Sequence, residues 1–383
     1  MTENSLRRIS HNGINVFAPL VSIVMCCRCE AEHIRATVAS ILAQECPGGS
    51  FEVIIADGMS EDGTRDIVRE IARLNNQVKL IDNPGRIAST GLNAAIRAAR
   101  GQIIVRMDAH TRYAPDYVRQ CVSVINSTGA DNVGGPWVAQ GNGYLGAAIA
   151  AAFQSFFAIG WAQGHIARYE GRVDTVYLGC WKKEAFEKFG CFDEELVRNQ
   201  DDEHNLRIVR AHGKVWQSPT IRSWYHSRES LSSLFKQYMQ YGYWKVRVIQ
   251  KHKIPASVRH LVPCTFLLSI LIPLLICGIC LPLLHCFAPS SRPGFWLEVL
   301  SSGALVLLGL MTSIYAFALM IASVLTAIRT QWRFLPVLPL VFCCYHFGYG
   351  IGFLKGGLDF LILKKGATLA FTRLPSEIVQ VKS

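Results

Sequence analysis

Charge is scarce in this sequence. Aspartate, glutamate, lysine and arginine make up 17% of its 383 residues, while half are hydrophobic. A soluble domain carries about 25% charge, so the shortage predicts that part of the chain lies in lipid. The residues up to Leu20 include Arg7 and Arg8 but no apolar stretch. They lack the core of a secretory signal, and the first two-thirds of the chain is expected to stay in the cytoplasm. A second cysteine pair at zinc-finger spacing from Cys26, Cys27 and Cys29 is also missing. The cysteines number 13, an odd count, which in a cytoplasmic setting argues against a disulfide framework. Free cysteine ordinarily serves as a small buried hydrophobe. The net charge of +11 comes without a helix-turn-helix, a zinc finger or an aromatic RNA-binding motif, so no nucleic-acid partner is expected. Lys236, Lys245, Arg247, Lys251, Lys253 and Arg259 instead crowd the segment before the first long apolar run. Juxtamembrane charge there suits contact with anionic membrane lipid and anionic substrates.

The length predicts two folding units. From residue 20 to 132 the pattern alternates strand and helix. Strands are expected at 20–25, 51–56, 78–81 and 103–107, with apolar helical periodicity between them. One of those helices is read as closing at Gly101. The fold class is therefore α/β, a mostly parallel, Rossmann-like sheet with helices on both faces. Residues 143–160 are apolar, alanine-rich and interrupted by Gln154, and read as a buried or interfacial helix. Residues 230–252 mix aromatic with basic side chains, which suits either a bilayer-surface helix or a packed protein surface. Apolar runs at 261–287, 296–328 and 335–354 are each long enough to cross ~30 Å of hydrocarbon. Arg329 and Arg333 fit two crossings before them. A third crossing would put Lys355, Lys364, Lys365 and Arg373 outside, against the positive-inside tendency. The expected organisation is an N-terminal segment 1–20, a catalytic domain 21–229 and an amphipathic interfacial or gating segment 230–260. Three or four transmembrane helices over 261–357 and a tail 358–383 follow.

Ligands of open α/β sheets sit beyond the carboxyl ends of the strands. Three polar clusters fall at such ends: Arg28 with Glu30, Asp57 within Asp57-Gly58-Met59-Ser60-Glu61-Asp62-Gly63, and Asp108-Ala109-His110. A carboxylate at one strand end can be a cap, but three equivalent ends point to a shared ligand site. Asp108 and His110, one residue apart, can hold Mn2+ or Mg2+ against phosphate oxygens. Equally, Asp108 can cap the helix near Pro115, with His110 a turn residue. Gln200-Asp201-Asp202-Glu203 is the densest acidic cluster. Such carboxylates can serve as general base or simply open a helix, and both can hold together. Gly141-Asn142-Gly143-Tyr144-Leu145-Gly146 matches a dinucleotide pattern but falls too late in the chain for that role.

Taken in order, these motifs resemble family 2 glycosyltransferases of the GT-A fold, and most nearly the bacterial succinoglycan-type exopolysaccharide glucosyltransferases. The resemblance runs from about Val21 to about Lys253. It rests on Val21-Ser22-Ile23-Val24-Met25 leading to Arg28-Cys29-Glu30, on the Asp57 turn, and on Asp108-Ala109-His110 as a variant D-x-D. Gly179-Cys180-Trp181-Lys182-Lys183, Asn199-Gln200-Asp201-Asp202-Glu203, and Gln240 with Tyr243 and Trp244 complete it. It implies a UDP-sugar donor bound through Arg28, Glu30, Asp57 and Asp108, with metal and diphosphate at Asp108 and His110. Asp201 would be the catalytic base, with Asp202 its substitute. Trp181, Lys182, Gln240, Tyr243 and Trp244 would stand on the acceptor side. The sugar, glucose by resemblance, would pass with inversion to a lipid-linked or growing polysaccharide acceptor. The enzyme would sit at the cytoplasmic (inner) membrane, with room for an oligomer or biosynthetic complex. The chain departs from the family at Cys26 and Cys29 (for proline and asparagine), His110 (for aspartate), Gln200 (for glutamate) and Tyr243 (for arginine). These departures weigh against a processive polymerase more than against single addition. An inactive nucleotide-sugar-binding protein with the same fold is the alternative. A transporter is poorly supported, because the apolar runs hold few ionisable residues beyond His285, Glu298 and His346. A glycoside hydrolase would have no need of the Asp108–His110 pair.

Overall fold

The computed structural model describes residues 8–11, 14–17, 20–160, 162–287 and 291–372. The rest of the expected N-terminal segment and the tail from Arg373 lie outside the described residues. The chain divides into two compact units. One is Met1–Gln140 with Ala162–His226 and Arg373–Ser383; the other is Gly141–Trp161 with Ser227–Thr372.

The first unit is the α/β fold. Strands β1 (Arg8–His11) and β2 (Ile14–Phe17) make a small antiparallel ribbon. The others are β3 (Val21–Cys27), β4 (Phe51–Asp57), β5 (Val78–Asp82), β6 (Ile103–Arg106), β7 (Thr111–Tyr113), β8 (Asn132–Gly135), β9 (Val138–Gln140), β10 (Gly171–Arg172), β11 (Tyr177–Lys182), β12 (Val215–Gln217) and β13 (Ser223–His226). Eight of them form one sheet in the order β10-β12-β8-β11-β6-β3-β4-β5, and β7-β13-β9 form a second. β6, β3, β4 and β5 are mutually parallel. That follows from their composition. β4 is buried along its whole length and β3 nearly so, as expected of strands covered by helices on both faces. The covering helices include Ile34–Leu42, Thr64–Leu74 and Ala88–Ala98.

One face of the sheet carries a core of Val24, Ile54, Ile104 and Trp181 packed with Leu92, Phe186, Phe192 and Ile208. The helix Gln200–Arg210 contributes Ile208 to this core, so its first turn is carried to the end of the sheet. The helix read as closing at Gly101 ends at Ala98. Gly101 is needed for another reason: a Cβ there would stand 2.6 Å from the Ser22 amide nitrogen. Ser22 Oγ accepts from Gly101 N (2.8 Å) and donates to the buried Glu52 (2.6 Å), which also accepts from Arg100 N and Nε.

The second unit is helical. Residues 143–160 form two short helices, Gly143–Phe153 and Phe156–Ile159. The single helix expected there is divided, with Gln154 at the C-cap of the first piece, and Ser155 Oγ caps the second by accepting from Phe157 N. The helix Leu231–His252 packs along Leu338–Gly356 at backbone contact. A Cβ on Gly242 would meet the Tyr349 carbonyl, and one on Gly352 the Met239 carbonyl. Among the described residues two helices are long and apolar enough to cross a membrane, Val258–Leu283 and Arg292–Arg329. The longer has 38 residues, about 57 Å at 1.5 Å per residue, well beyond ~30 Å of hydrocarbon. Both turn large apolar side chains outward, with Leu275 64%, Val306 71% and Phe317 71% exposed. Such a surface suits lipid rather than water. The third apolar run forms Leu338–Gly356, whose glycine face lies on the Leu231–His252 helix.

Candidate active site at the carboxyl end of the sheet

The loops after β3 and β4 are knitted together. Cys29 N donates to Ser60 Oγ (2.9 Å), Glu30 N to Thr64 Oγ1 (2.8 Å) and Ala31 N to Asp62 Oδ2 (3.1 Å). Asp62 also accepts from Thr64 N and Oγ1. Partial burial works to raise its pKa, but these donors hold it below the usual carboxylate value. Asp57 is fully buried. Its oxygens accept from Ser60 N (3.0 Å), Ser60 Oγ (2.5 Å) and Arg65 Nη1 (2.9 Å), so its carboxylate shapes the turn from behind. Arg28 lies across Gly58, where an added Cβ would stand 3.1 Å from the arginine's stem.

β6 supplies the next element. Arg106 and Asp108, two residues apart, project to one side. The Arg106 guanidinium grips both Asp108 oxygens, Nε to Oδ1 at 2.9 Å and Nη2 to Oδ2 at 2.8 Å. Burial tends to raise the Asp108 pKa, yet Arg106 and then His110 bring it below the ordinary value. Burial likewise opposes the charge on Arg106, and the facing carboxylates of Asp108 and Asp201 more than offset it. The neighbouring Cys26 thiol is pushed up to about 12, first by burial and then by Asp108, so it is neutral at physiological pH and suited to packing. His110 is half-exposed, with Nδ1 3.5 Å from Glu30 Oε1.

The acidic run at 200–203 opens a helix, and its members have different surroundings. Asn199 at the N-cap has φ 63°. Glu203 is buried and holds Arg207 in two hydrogen bonds of 2.9 and 3.0 Å, while Arg207 binds the carbonyls of Phe189 and Cys191. That lattice fixes the helix. Asp201 remains 35% exposed, accepts from Asp202 N (2.9 Å), and has Oδ2 3.7 Å from Arg106 Nη1. The structure thus brings Asp201 and Asp108 to a single guanidinium, and sets Glu30 beside His110. Among the described residues no three His, Cys, Asp or Glu side chains form a group able to hold a metal ion by themselves.

The remaining candidates have other surroundings. Trp181 is 1% exposed, inside the core against Phe186, Phe192 and His204. Lys182 is half-buried at the end of β11. Gln240, Tyr243 and Trp244 are buried in the second unit. Tyr243 stacks on Phe371 (4.1 Å, 8°) and donates to Asp359 (3.0 Å), and Trp244 Nε1 donates to the Phe371 carbonyl (3.0 Å). Arg106 is the residue that motif reading passes over. Its signal is an arginine closing an otherwise apolar strand, two positions before Asp108.

A family model described as glycosyl transferase family 2 matches residues 22–166. The succinoglycan biosynthesis protein ExoA of Rhizobium meliloti is 31% identical over 243 residues, 63% of this chain and 73% of that protein. A dolichyl N-acetyl-α-D-glucosaminyl phosphate 3-β-D-2,3-diacetamido-2,3-dideoxy-β-D-glucuronosyltransferase of Methanococcus voltae is 23% identical over 344 residues, 88% of this chain and 96% of that one. Among solved structures, the mannosyltransferase PcManGT of Pyrobaculum calidifontis, in complex with GDP-Man and Mn2+, covers 87% of each chain with a TM-score of 0.52 at 18% identity. That likeness is one of fold.

Proposed function

Since the chain belongs to glycosyl transferase family 2, a family of glycan biosynthesis, we propose that it is a membrane-anchored, inverting hexosyltransferase. It takes a sugar, glucose in this reading, from a UDP-sugar and passes it to a lipid-linked or polysaccharide acceptor at the inner face of the cytoplasmic membrane. The observation that carries the reading is the meeting of Asp108 and Asp201 at Arg106, with separations of 2.8 and 3.7 Å, beyond the carboxyl ends of the parallel strands, where ligands bind.

Arg28, Glu30 and Asp57 form the donor side, with Asp57 holding the turn that meets the nucleoside. Trp181 and Lys182 belong to the acceptor side, the tryptophan from within the core. Asp108 and His110, with Glu30 next to the imidazole, are the side chains that would hold a divalent cation, an ion that needs few protein ligands. Such a cation, Mn2+ or Mg2+, would offset charge on the departing UDP. Asp201 takes the proton from the acceptor hydroxyl. Oxygen then attacks the anomeric carbon from the face opposite the diphosphate. The carbon–oxygen bond to the diphosphate breaks, its electron pair leaves with UDP, and the anomeric configuration inverts, as in inverting glycosidases. Asp201 is open enough to meet a hydroxyl, whereas Glu203 is committed to Arg207.

The test uses the full chain in detergent with a panel of UDP- and GDP-sugars, Mn2+ or Mg2+, and lipid-linked acceptor extract. Metal-dependent release of UDP from one donor supports the reading. Release from GDP-sugars alone reassigns the donor, and no release from any donor overturns the enzyme.

A further inference from the structure

Arg106 ends a strand whose other residues are Ile103, Ile104 and Val105. It is 8% exposed. Burying a guanidinium is costly, and apolar side chains of similar size often serve stability as well or better. Asp108 accounts for two of its nitrogens. The third, Nη1, is buried, makes no hydrogen bond, and lies 3.7 Å from Asp201 Oδ2. The fork is rigid, so once Nε and Nη2 are fixed on Asp108 the position of Nη1 follows. β6 and the Gln200–Arg210 helix reach this point from distant parts of the chain, and the Arg106 guanidinium lies within ion-pair distance of both Asp108 and Asp201.

We propose that Arg106 is a positioning residue that ties the donor-side carboxylate of Asp108 to the base Asp201, and that its fixed charge limits how tightly the site holds a divalent cation. This rests on the reading that Asp108 meets the metal and Asp201 is the base. The guanidinium covers one edge of the Asp108 carboxylate. A cation must use the remaining lone pairs and sit near a permanent positive charge. Removing Arg106 therefore moves two observables in opposite senses: metal binding tightens while turnover falls. Loss of a purely structural arginine would loosen Asp108 and weaken both.

The test compares wild type, R106Q and R106K as full chains in detergent. Mn2+ affinity is read without donor from the paramagnetic resonance signal of the free ion, and kcat and donor KM are measured separately. R106Q is expected to bind Mn2+ about tenfold more tightly, because a like charge is gone. Its kcat is expected to fall about a hundredfold, since the base loses its register, with donor KM within about threefold of wild type. R106K keeps the charge but loses the fork, so its Mn2+ affinity stays near wild type and its kcat falls only about tenfold. Mn2+ binding in R106Q that is unchanged or weaker overturns the proposal, as does unchanged kcat. If R106Q fails to fold, R106K decides: wild-type kcat, or Mn2+ affinity lost with kcat, overturns it. A wild type that neither binds Mn2+ nor releases UDP overturns the functional reading itself. A wild type that does both, with variants that behave otherwise than stated, overturns this inference alone.

Discussion

Protonating His204 should unlock the helix that carries Asp201. His204 is fully buried one turn beyond Asp201. Its ring lies nearly parallel to Phe186 (5.3 Å, 22°) and close to Phe192 (5.0 Å). Nε2 donates to the Gly190 carbonyl at 3.0 Å, and Nδ1 has no hydrogen-bond partner. A second proton would therefore land on a buried nitrogen with no acceptor. Burial first, and then the charge of Arg207, lower the pKa from 6.5 to about 3, although the Gly190 contact works the other way. In the unfolded chain the imidazole gains its proton near pH 6.5; in the folded chain it stays neutral down to about 3. Between these values the unfolded state binds more protons. The contribution of His204 is therefore complete above pH 6.5 and is lost as pH falls toward 3. The shift of about 3.5 units corresponds to at most about 5 kcal/mol at 1.36 kcal/mol per unit. About 2 kcal/mol of it should be gone by pH 5, where the unfolded imidazole is already largely charged. The assay is urea denaturation of the full chain in detergent, followed by tryptophan fluorescence from pH 8 to 4, for wild type and H204Q. H204Q can still donate to Gly190 but does not titrate, so its midpoint should vary less with pH. Parallel pH profiles for the two proteins would refute the reasoning.

Asp201→Asn should reduce transfer by about a hundredfold to ten-thousandfold while leaving donor affinity, read by calorimetry, within about threefold. Equal loss of donor binding would remove Asp201 from the base role. EDTA should abolish UDP release, and Mn2+ or Mg2+ should restore it; release that continues in EDTA would argue against a cation at Asp108 and His110. Glu52→Ala strips the acceptor from Ser22 Oγ and from Arg100 N and Nε. It should cost about 2–3 kcal/mol of stability for one buried charged acceptor and leave donor KM unchanged. A change in KM without loss of stability would put Glu52 in the site rather than beneath it.

The acidic run at 200–203 shows where sequence reading stops. Four polar residues opening a helix are plain in the sequence, and either a base or a cap can be read from them. Only the packed structure separates Glu203, locked to Arg207 under the Phe189 and Cys191 carbonyls, from Asp201, which stays partly exposed beside Arg106. Partners for a carboxylate come from other segments of chain, and spacing along one segment does not specify them. Gly101 makes the same point. Its place after a helix suggests a terminator, but the requirement for glycine comes from Ser22, 79 residues away.

The sequence by itself determined the four parallel strands β3, β4, β5 and β6, the strand ends that hold Glu30, Asp57 and Asp108, and the apolar helices. These are properties of hydrophobic period and run length, which act locally. Tertiary structure decided that Arg106 spans Asp108 and Asp201, that Trp181 lies in the core, and that the third apolar run packs its glycines against Leu231–His252. Each depends on which distant surfaces meet and on which buried polar group must be satisfied there, and local pattern carries no record of that.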